Sequence, residues 1–124
     1  MTDRDPGSLL PLTPLTFHIL LSLADIDRHG YGIIKEVAFR TGGEMELETG
    51  TLYAALKRIR DEELIEIVSS SERPEGEDSR RRTYRLTPFG LAVLRAESER
   101  LSQLVTVAIR KQVIPVEPAL GEIQ

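Results

Sequence analysis

The stretch from Glu48 to Arg60, reading Glu-Thr-Gly-Thr-Leu-Tyr-Ala-Ala-Leu-Lys-Arg-Ile-Arg, constrains this chain more than any other. Wound as a helix at ~100° per residue, it puts Leu52, Ala55, Leu56 and Ile59 on one face. Gly50, Ala54 and Lys57 fall opposite, with Tyr53 and Arg58 on the flanks. The first face is a core stripe. The second carries small residues where a solvated helix normally carries long polar ones. Small residues let a helix lie close against another surface, and Lys, Arg and Tyr donors suit phosphate oxygens and base edges. A solvated face with two incidental small residues gives the same pattern, so the surrounding chain has to decide between them.

Two Thr-Pro pairs mark helix starts, Thr13-Pro14 and Thr87-Pro88, each with Thr at the cap and Pro at the first helical position. After the first, Leu15, Ile19 and Leu23 recur at four-residue spacing, with Phe17, Leu20 and Leu21 widening the stripe. Gly30-Tyr31-Gly32 turns into a second helix from about Tyr31 to Arg40, stopped by Thr41-Gly42-Gly43. The helix of Glu48 follows and is expected to run to about Glu63. Ile65 and Ile67 alternate with Glu66 and Val68, which predicts a strand. The polar run from Ser69 to Ser79 reads as a hairpin tip, and Arg80 to Leu86 as the return strand.

The last helix is expected from Pro88 to about Gln112. Leu91, Leu94, Ser98, Leu101, Val105 and Ala108 form a seam at spacings of three and four, with Leu104 and Val107 beside it. A helix of that length projects from so small a core, and its seam needs a partner. The expected organisation is a flexible arm over 1–11 and a winged helix-turn-helix domain over 12–87. A dimerisation helix over 88–112 and an extended tail over 113–124 complete it. The fold class is mainly α with a small β-hairpin.

There is no Cys, so neither a disulfide framework nor thiol chemistry is available, which fits a cytoplasmic protein. No signal peptide or membrane span is apparent. The formal net charge of −4 is unfavourable for a nucleic-acid binder, but its distribution matters more. Residues 1–48 carry four bases against eight acids, whereas 49–87 carry eight of each. Arg80, Arg81, Arg82 and Arg85 form a basic cluster at the return strand. His18 and His29 have no metal-ligand spacing, and no catalytic triad, phosphate loop or paired carboxylates appear. The reading is therefore of a non-enzyme with no cofactor and no metal.

Four places resemble the PadR-like winged-helix transcriptional regulators. They are His29-Gly30-Tyr31-Gly32-Ile33; Gly50-Thr51-Leu52-Tyr53 with Leu56 and Arg58; Leu64-Ile65-Glu66; and Arg81-Arg82-Thr83-Tyr84-Arg85-Leu86-Thr87 with Gly90. The resemblance spans about residues 12–112 and is similar to the shorter members with one C-terminal dimerisation helix. Glu48-Thr49 stands where many members have Ser-Pro, and Ala54 where many have Pro. The resemblance implies a homodimer on a pseudo-palindromic double-stranded DNA operator, usually as a repressor. In some members a small hydrophobic effector binds near the dimer interface.

On this reading Tyr53, Lys57 and Arg58 contact DNA, and Thr49 and Thr51 offer hydroxyls and backbone N–H groups to a phosphate. Arg80, Arg81 and Arg82 contact phosphates or the minor groove beside the wing. Tyr31 either reaches the DNA backbone or packs. Leu91, Leu94, Leu101, Leu104, Val105 and Ala108 form the dimer seam. The second class of function is a protein–protein interaction module, for which the acidic balance is suited. A regulator from another winged-helix family is the nearer alternative.

Overall fold

The two Thr-Pro pairs do set the first and last helices. The Thr13 hydroxyl accepts the Thr16 amide at 3.2 Å and the Thr87 hydroxyl accepts the Gly90 amide at 2.9 Å. Each satisfies one of the N–H groups that a helix start leaves without an internal partner. The structure, a computed structural model, describes residues 4–68 and 82–115. Its helices are α1 (Pro14–Ser22), α2 (Gly30–Arg40), α3 (Thr49–Asp61) and α4 (Pro88–Arg110), and its strands are β1 (Arg28–His29), β2 (Ile65–Ile67) and β3 (Thr83–Leu86).

The buried face of α3 is Leu52, Ala55, Leu56 and Ile59. Around it pack Ile19, Leu20 and Leu23 from α1 and its end, Ile33 and Val37 from α2, Leu64 and Ile65 from the next turn and strand, Tyr84 from β3, and Val93 and Leu94 from α4. The core thus draws on all four helices and on β2 and β3, and α3 is held between the helices and the sheet.

The sheet is antiparallel in the order β1-β3-β2. Ile65 pairs with Leu86 and Ile67 with Tyr84, so the apolar face of the wing base rests on the core. Strand β1 is an addition to the expected hairpin. It is two residues long, Arg28 opposite Tyr84 and His29 opposite Thr83, too short for an alternating pattern to announce it. The expected hairpin tip lies outside the described residues.

Helices α3 and α4 stop earlier than expected, for one reason. Three helices end with the same pair of bonds. For α2 these are Gly43 N–H to Ala38 O and Gly42 N–H to Phe39 O. For α3 they are Leu64 to Ile59 and Glu63 to Arg60; for α4, Val113 to Ala108 and Gln112 to Ile109. The motif needs one residue in left-handed backbone. Gly42 supplies it in α2, at φ 64°, but Glu63 and Gln112 supply it in the others, at φ 66° and 65°. Without a glycine there, nothing in the composition marks the stop.

Two further corrections concern the ends of the chain. The described part of the expected flexible arm is a 3-10 turn, Pro6–Leu9, capped by the Asp5 carboxylate. Leu9, Leu10 and Leu12 pack against the core, so it is apolar burial that orders the segment. Within the expected dimer seam, Leu94 is only 4% exposed and belongs to the protomer's own core. Leu104 and Val105, at 54% and 47%, are free of it.

The base of α4 is seated on the turn after α3. A Cβ at Gly90 would overlap the Leu64 carbonyl oxygen, with the carbonyl carbon 2.8 Å away. Higher on α4, the buried carboxylate of Glu97 accepts the Leu12 amide at 3.0 Å and both Nε and Nη2 of Arg100, at 2.6 and 3.0 Å. The Arg100 hydrogen bonds, helped by the Leu12 amide and the Arg100 charge, outweigh the opposing effect of burial and hold the carboxyl below its usual range.

Gly90→Ala is expected to cost about 1–3 kcal/mol or more, because backbone and not a flexible side chain would have to move; urea denaturation reads it directly. Because the Glu97 carboxyl is depressed in the folded state, its contribution is complete at neutral pH. It is lost as pH falls through the ordinary carboxylate range and below. Denaturation between about pH 6 and pH 3 should therefore show a shallower acid loss in Glu97→Gln than in the unaltered protein.

Candidate nucleic-acid interface

Opposite its core face, α3 exposes Thr49, Gly50, Thr51, Ala54 and Lys57. Its N-cap, Glu48, makes no side-chain capping bond, unlike the threonines that begin α1 and α4. Glu48 therefore does not occupy the first-turn N–H groups, which are the groups that receive an anion at a helix start. A Cβ at Gly50 would meet nothing within 4 Å, and Gly50 has ordinary helical rather than left-handed backbone. Among the described residues, nothing inside the protomer requires a glycine there. Lys57 pairs with Asp61 at 3.2 Å, both side chains well exposed. Such a pair is worth about 0–1 kcal/mol, so a phosphate can take the ammonium at little cost.

The other expected contacts gather at one junction, His29-Gly30-Tyr31, where β1 runs into α2. His29 Nδ1 lies 3.4 Å from the Arg82 carbonyl oxygen and 3.3 Å from the Thr83 hydroxyl, which fastens the wing base beside the start of α2. A Cβ at Gly30 would overlap the Tyr53 hydroxyl, with the ring carbon Cζ 2.7 Å away. Tyr53 is thus half-buried and wedges α3 against the start of α2, a packing role that its flank position did not suggest. Tyr31, one residue on, is 66% exposed. The recognition face, the first turn of α2 and the base of the wing therefore adjoin.

The remaining expected residues divide. Arg82 is exposed; Arg80 and Arg81 lie outside the described residues. Arg58 is exposed overall but leans back towards α1, its Nη2 donating to the Thr16 hydroxyl at 3.4 Å. Arg28 and Arg40 are structural. Arg28 donates to the Ser22 carbonyl at 2.6 Å and pairs with Asp25 and Glu36, while Arg40 donates to the His18 carbonyl and the Ser22 hydroxyl. Lys35 was missed. It lies one helical turn from Tyr31, exposed, with its ammonium 5.5 Å from the Tyr31 ring centroid. The four-residue spacing from Tyr31 was the available signal. Of the two histidines, His18 has a buried Nδ1 without a hydrogen-bond partner among the described residues; burial, and then the Arg40 charge, hold its pKa below the ordinary value.

A core-anchored helix with an outward face of small and donor residues, a preceding helix meeting it at its flank, and a sheet base adjoining both define a winged helix-turn-helix protein. The chain belongs to the transcriptional regulator PadR-like family, whose model matches residues 19–96. It is a DNA-binding transcriptional regulator of that family. Among solved structures it is similar to a PadR family transcription regulator from Clostridium difficile, with 29% identity and a TM-score of 0.64 over 81% of this chain and 99% of that one. A transcriptional regulator from Clostridium thermocellum matches at 29% identity and a TM-score of 0.62, covering 81% of this chain and 90% of that one. A protein of Lysinibacillus sphaericus described as uncharacterized is 34% identical over 61% of this chain and 67% of its own length. Among the described residues no helix is long and apolar enough to cross a membrane.

Gly50→Ala separates a structural glycine from one kept for an external surface. With open space at its Cβ, the alanine variant is expected to be more stable by up to about 1 kcal/mol. It is also expected to bind DNA more weakly, because a methyl then stands where the helix approaches its ligand. Paired thermal melts and DNA titrations measure the two effects; stability and binding rising together would assign Gly50 no part in the interface.

Proposed function

We propose that this regulator is a homodimeric repressor of a pseudo-palindromic operator, with α3 in the major groove of each half-site. The single observation that carries the placement of α3 is the open, small-residue face around Gly50 and Ala54, with Lys57 beside it and the N-terminal turn left uncapped by Glu48. Lys57 reads base edges, Arg58 joins it by exchanging its 3.4 Å bond to the Thr16 hydroxyl for a base edge, Thr49 and Thr51 hold a phosphate, and Tyr53 both sets α3 against α2 and reaches towards the backbone. Tyr31 and Lys35 take the phosphates alongside, and Arg80, Arg81 and Arg82 those at the wing. Its ligand being chromosomal DNA, the protein works in the cytoplasm.

Dimerisation is assigned to the projecting half of α4, through Leu101, Leu104, Val105 and Ala108, with Leu91 at the rim. Leu94 is excluded by its burial within the protomer. A two-fold axis through α4 buries the same patch on both copies and presents two recognition helices to two half-sites. A small hydrophobic effector is assigned to the hollow of about 220 Å³ between α1 and α4, lined by Leu12, Phe17, His18, Glu97, Arg100 and Leu101. That volume is below the usual ~300–1,000 Å³ of a ligand pocket, so the partner's α4 would complete it.

Two variants test the proposal. Ala54→Gln places a long side chain on the exposed face, where substitutions usually change stability by less than ~0.5 kcal/mol. It is expected to fold normally and lose binding to the chain's own promoter DNA in gel shifts. Normal DNA binding by the variant would favour a protein-interaction role for this face. Val105→Glu is expected to be monomeric by light scattering at micromolar concentration, where the unaltered protein is dimeric. It should retain only the weak affinity of one half-site. An unaltered protein that is itself monomeric would refute the two-half-site model.

A further inference from the structure

The segment before α1 is clasped at both ends, to different parts of the molecule. At its start, the Arg4 guanidinium donates to the Glu62 carbonyl, lies 3.6 Å from the Glu63 carboxylate, and stacks over the Phe89 ring with its carbon 4.4 Å from the centroid. Glu62 is the C-cap of α3, Glu63 is the left-handed residue that ends it, and Phe89 lies in the first turn of α4. At its other end, the Leu12 amide donates to the buried Glu97 carboxylate, midway along α4. Between the clasps, Leu9 and Leu10 pack against the core.

Each clasp is favourable for a local reason. The end of a helix leaves carbonyls without partners and a partial negative charge, which a guanidinium satisfies on both counts. The guanidinium plane over Phe89 adds a cation–π contact. The Leu12 amide helps to neutralise a carboxylate that burial would otherwise disfavour. None of these contacts is needed to close the core, which the helices and sheet already form around α3. What the segment adds is a second tie between the end of the recognition helix and the helix that projects.

We propose that residues 4–12 are a strap that sets the angle between α3 and α4, with Arg4 as a positioning residue for half-site spacing. This rests on the dimeric operator-binding reading above. The geometry gives the strap leverage. From Gly90 to Ala108, α4 extends about 27 Å, so a ~10° change at its base moves its far end about 5 Å. That exceeds the ~3.4 Å rise of one base pair. A loosened strap therefore lets the two recognition helices accept operators of different spacing.

Because the chain has no native Cys, spin labels can be placed uniquely at Arg60→Cys on α3 and Thr106→Cys on α4, both exposed. Labelled protein is diluted into an excess of unlabelled protein, so that the distance read lies within one protomer. In Arg4→Ala the distance distribution is expected to broaden or shift by several ångström while the melting curve stays cooperative. Arg4→Lys keeps the charge beside Glu63 but loses the forked donor, and serves as the milder variant should Arg4→Ala melt early. The second measurement uses a DNA selected from a random pool by the unaltered protein, with the spacer between half-sites lengthened and shortened stepwise. The unaltered protein is expected to prefer one spacer and Arg4→Ala to lose that preference.

An unchanged label distance overturns the strap. A changed distance with the spacer preference intact overturns its role in specificity. The distance is measured without DNA, so a protein that selected no DNA at all would refute the operator reading while the strap still stood or fell on the labels.

Discussion

The contact on which the rest of this molecule depends is between two pieces of backbone, Gly90 of α4 and the carbonyl of Leu64. Leu64 O also accepts the Thr87 amide at 3.1 Å, and the Thr87 hydroxyl donates to Glu63 O at 2.7 Å while capping α4. The turn that ends the recognition helix is therefore also the seat of the projecting helix. Close approach of this kind leaves no side chain between the elements to adjust, so the point where α4 meets the end of α3 is fixed, while the direction of α4 from that point is shared with its other contacts. The left-handed backbone of Glu63, uncommon for a residue with a Cβ, is held in place by the same cluster.

A fixed point of contact there explains how a small core supports a helix that projects well beyond it. The winged domain buries its apolar residues around α3 and leaves that helix's outer face open. Beyond Glu97, α4 leaves the core and exposes Leu104, Val105 and Val107. Apolar surface of that kind, continuous along a helix, is expensive in water and is a natural place for another copy to bind. Charge follows the same division. Arg28, Arg40 and Arg100 are engaged with groups of the protomer. Lys35 and Lys57 stand outward, Lys57 in an exposed pair with Asp61. A net negative chain can thus present a locally basic face.

Much of this was legible in the residues. The core stripe of α3, the small-residue face opposite, both threonine caps and the alternation of Ile65 and Ile67 all follow from local periodicity and capping chemistry, and all lie where those rules put them. The boundaries of α3 and α4 were not legible, because a stop written with Glu63 or Gln112 in left-handed backbone has no glycine to mark it. The segment before α1 is expected as a flexible arm, yet it is ordered by partners distant in sequence: the core under Leu9, Leu10 and Leu12, and Glu62, Phe89 and Glu97.

What the sequence determined by itself is what short-range chemistry controls: which stretches are helical, which face of each is apolar, and which residue types are offered outward from α3. Its motifs also carried the family resemblance. What only the tertiary structure decided is which of those residues are still free once the chain has closed. Leu94 looked like part of a seam and is core; Tyr53 looked like a DNA contact and is also a wedge over Gly30; Arg58 leans towards Thr16. The physical reason is that a helical pattern gives the direction of a side chain about its own axis, whereas burial depends on elements far away in sequence. Those elements arrive only when the core forms.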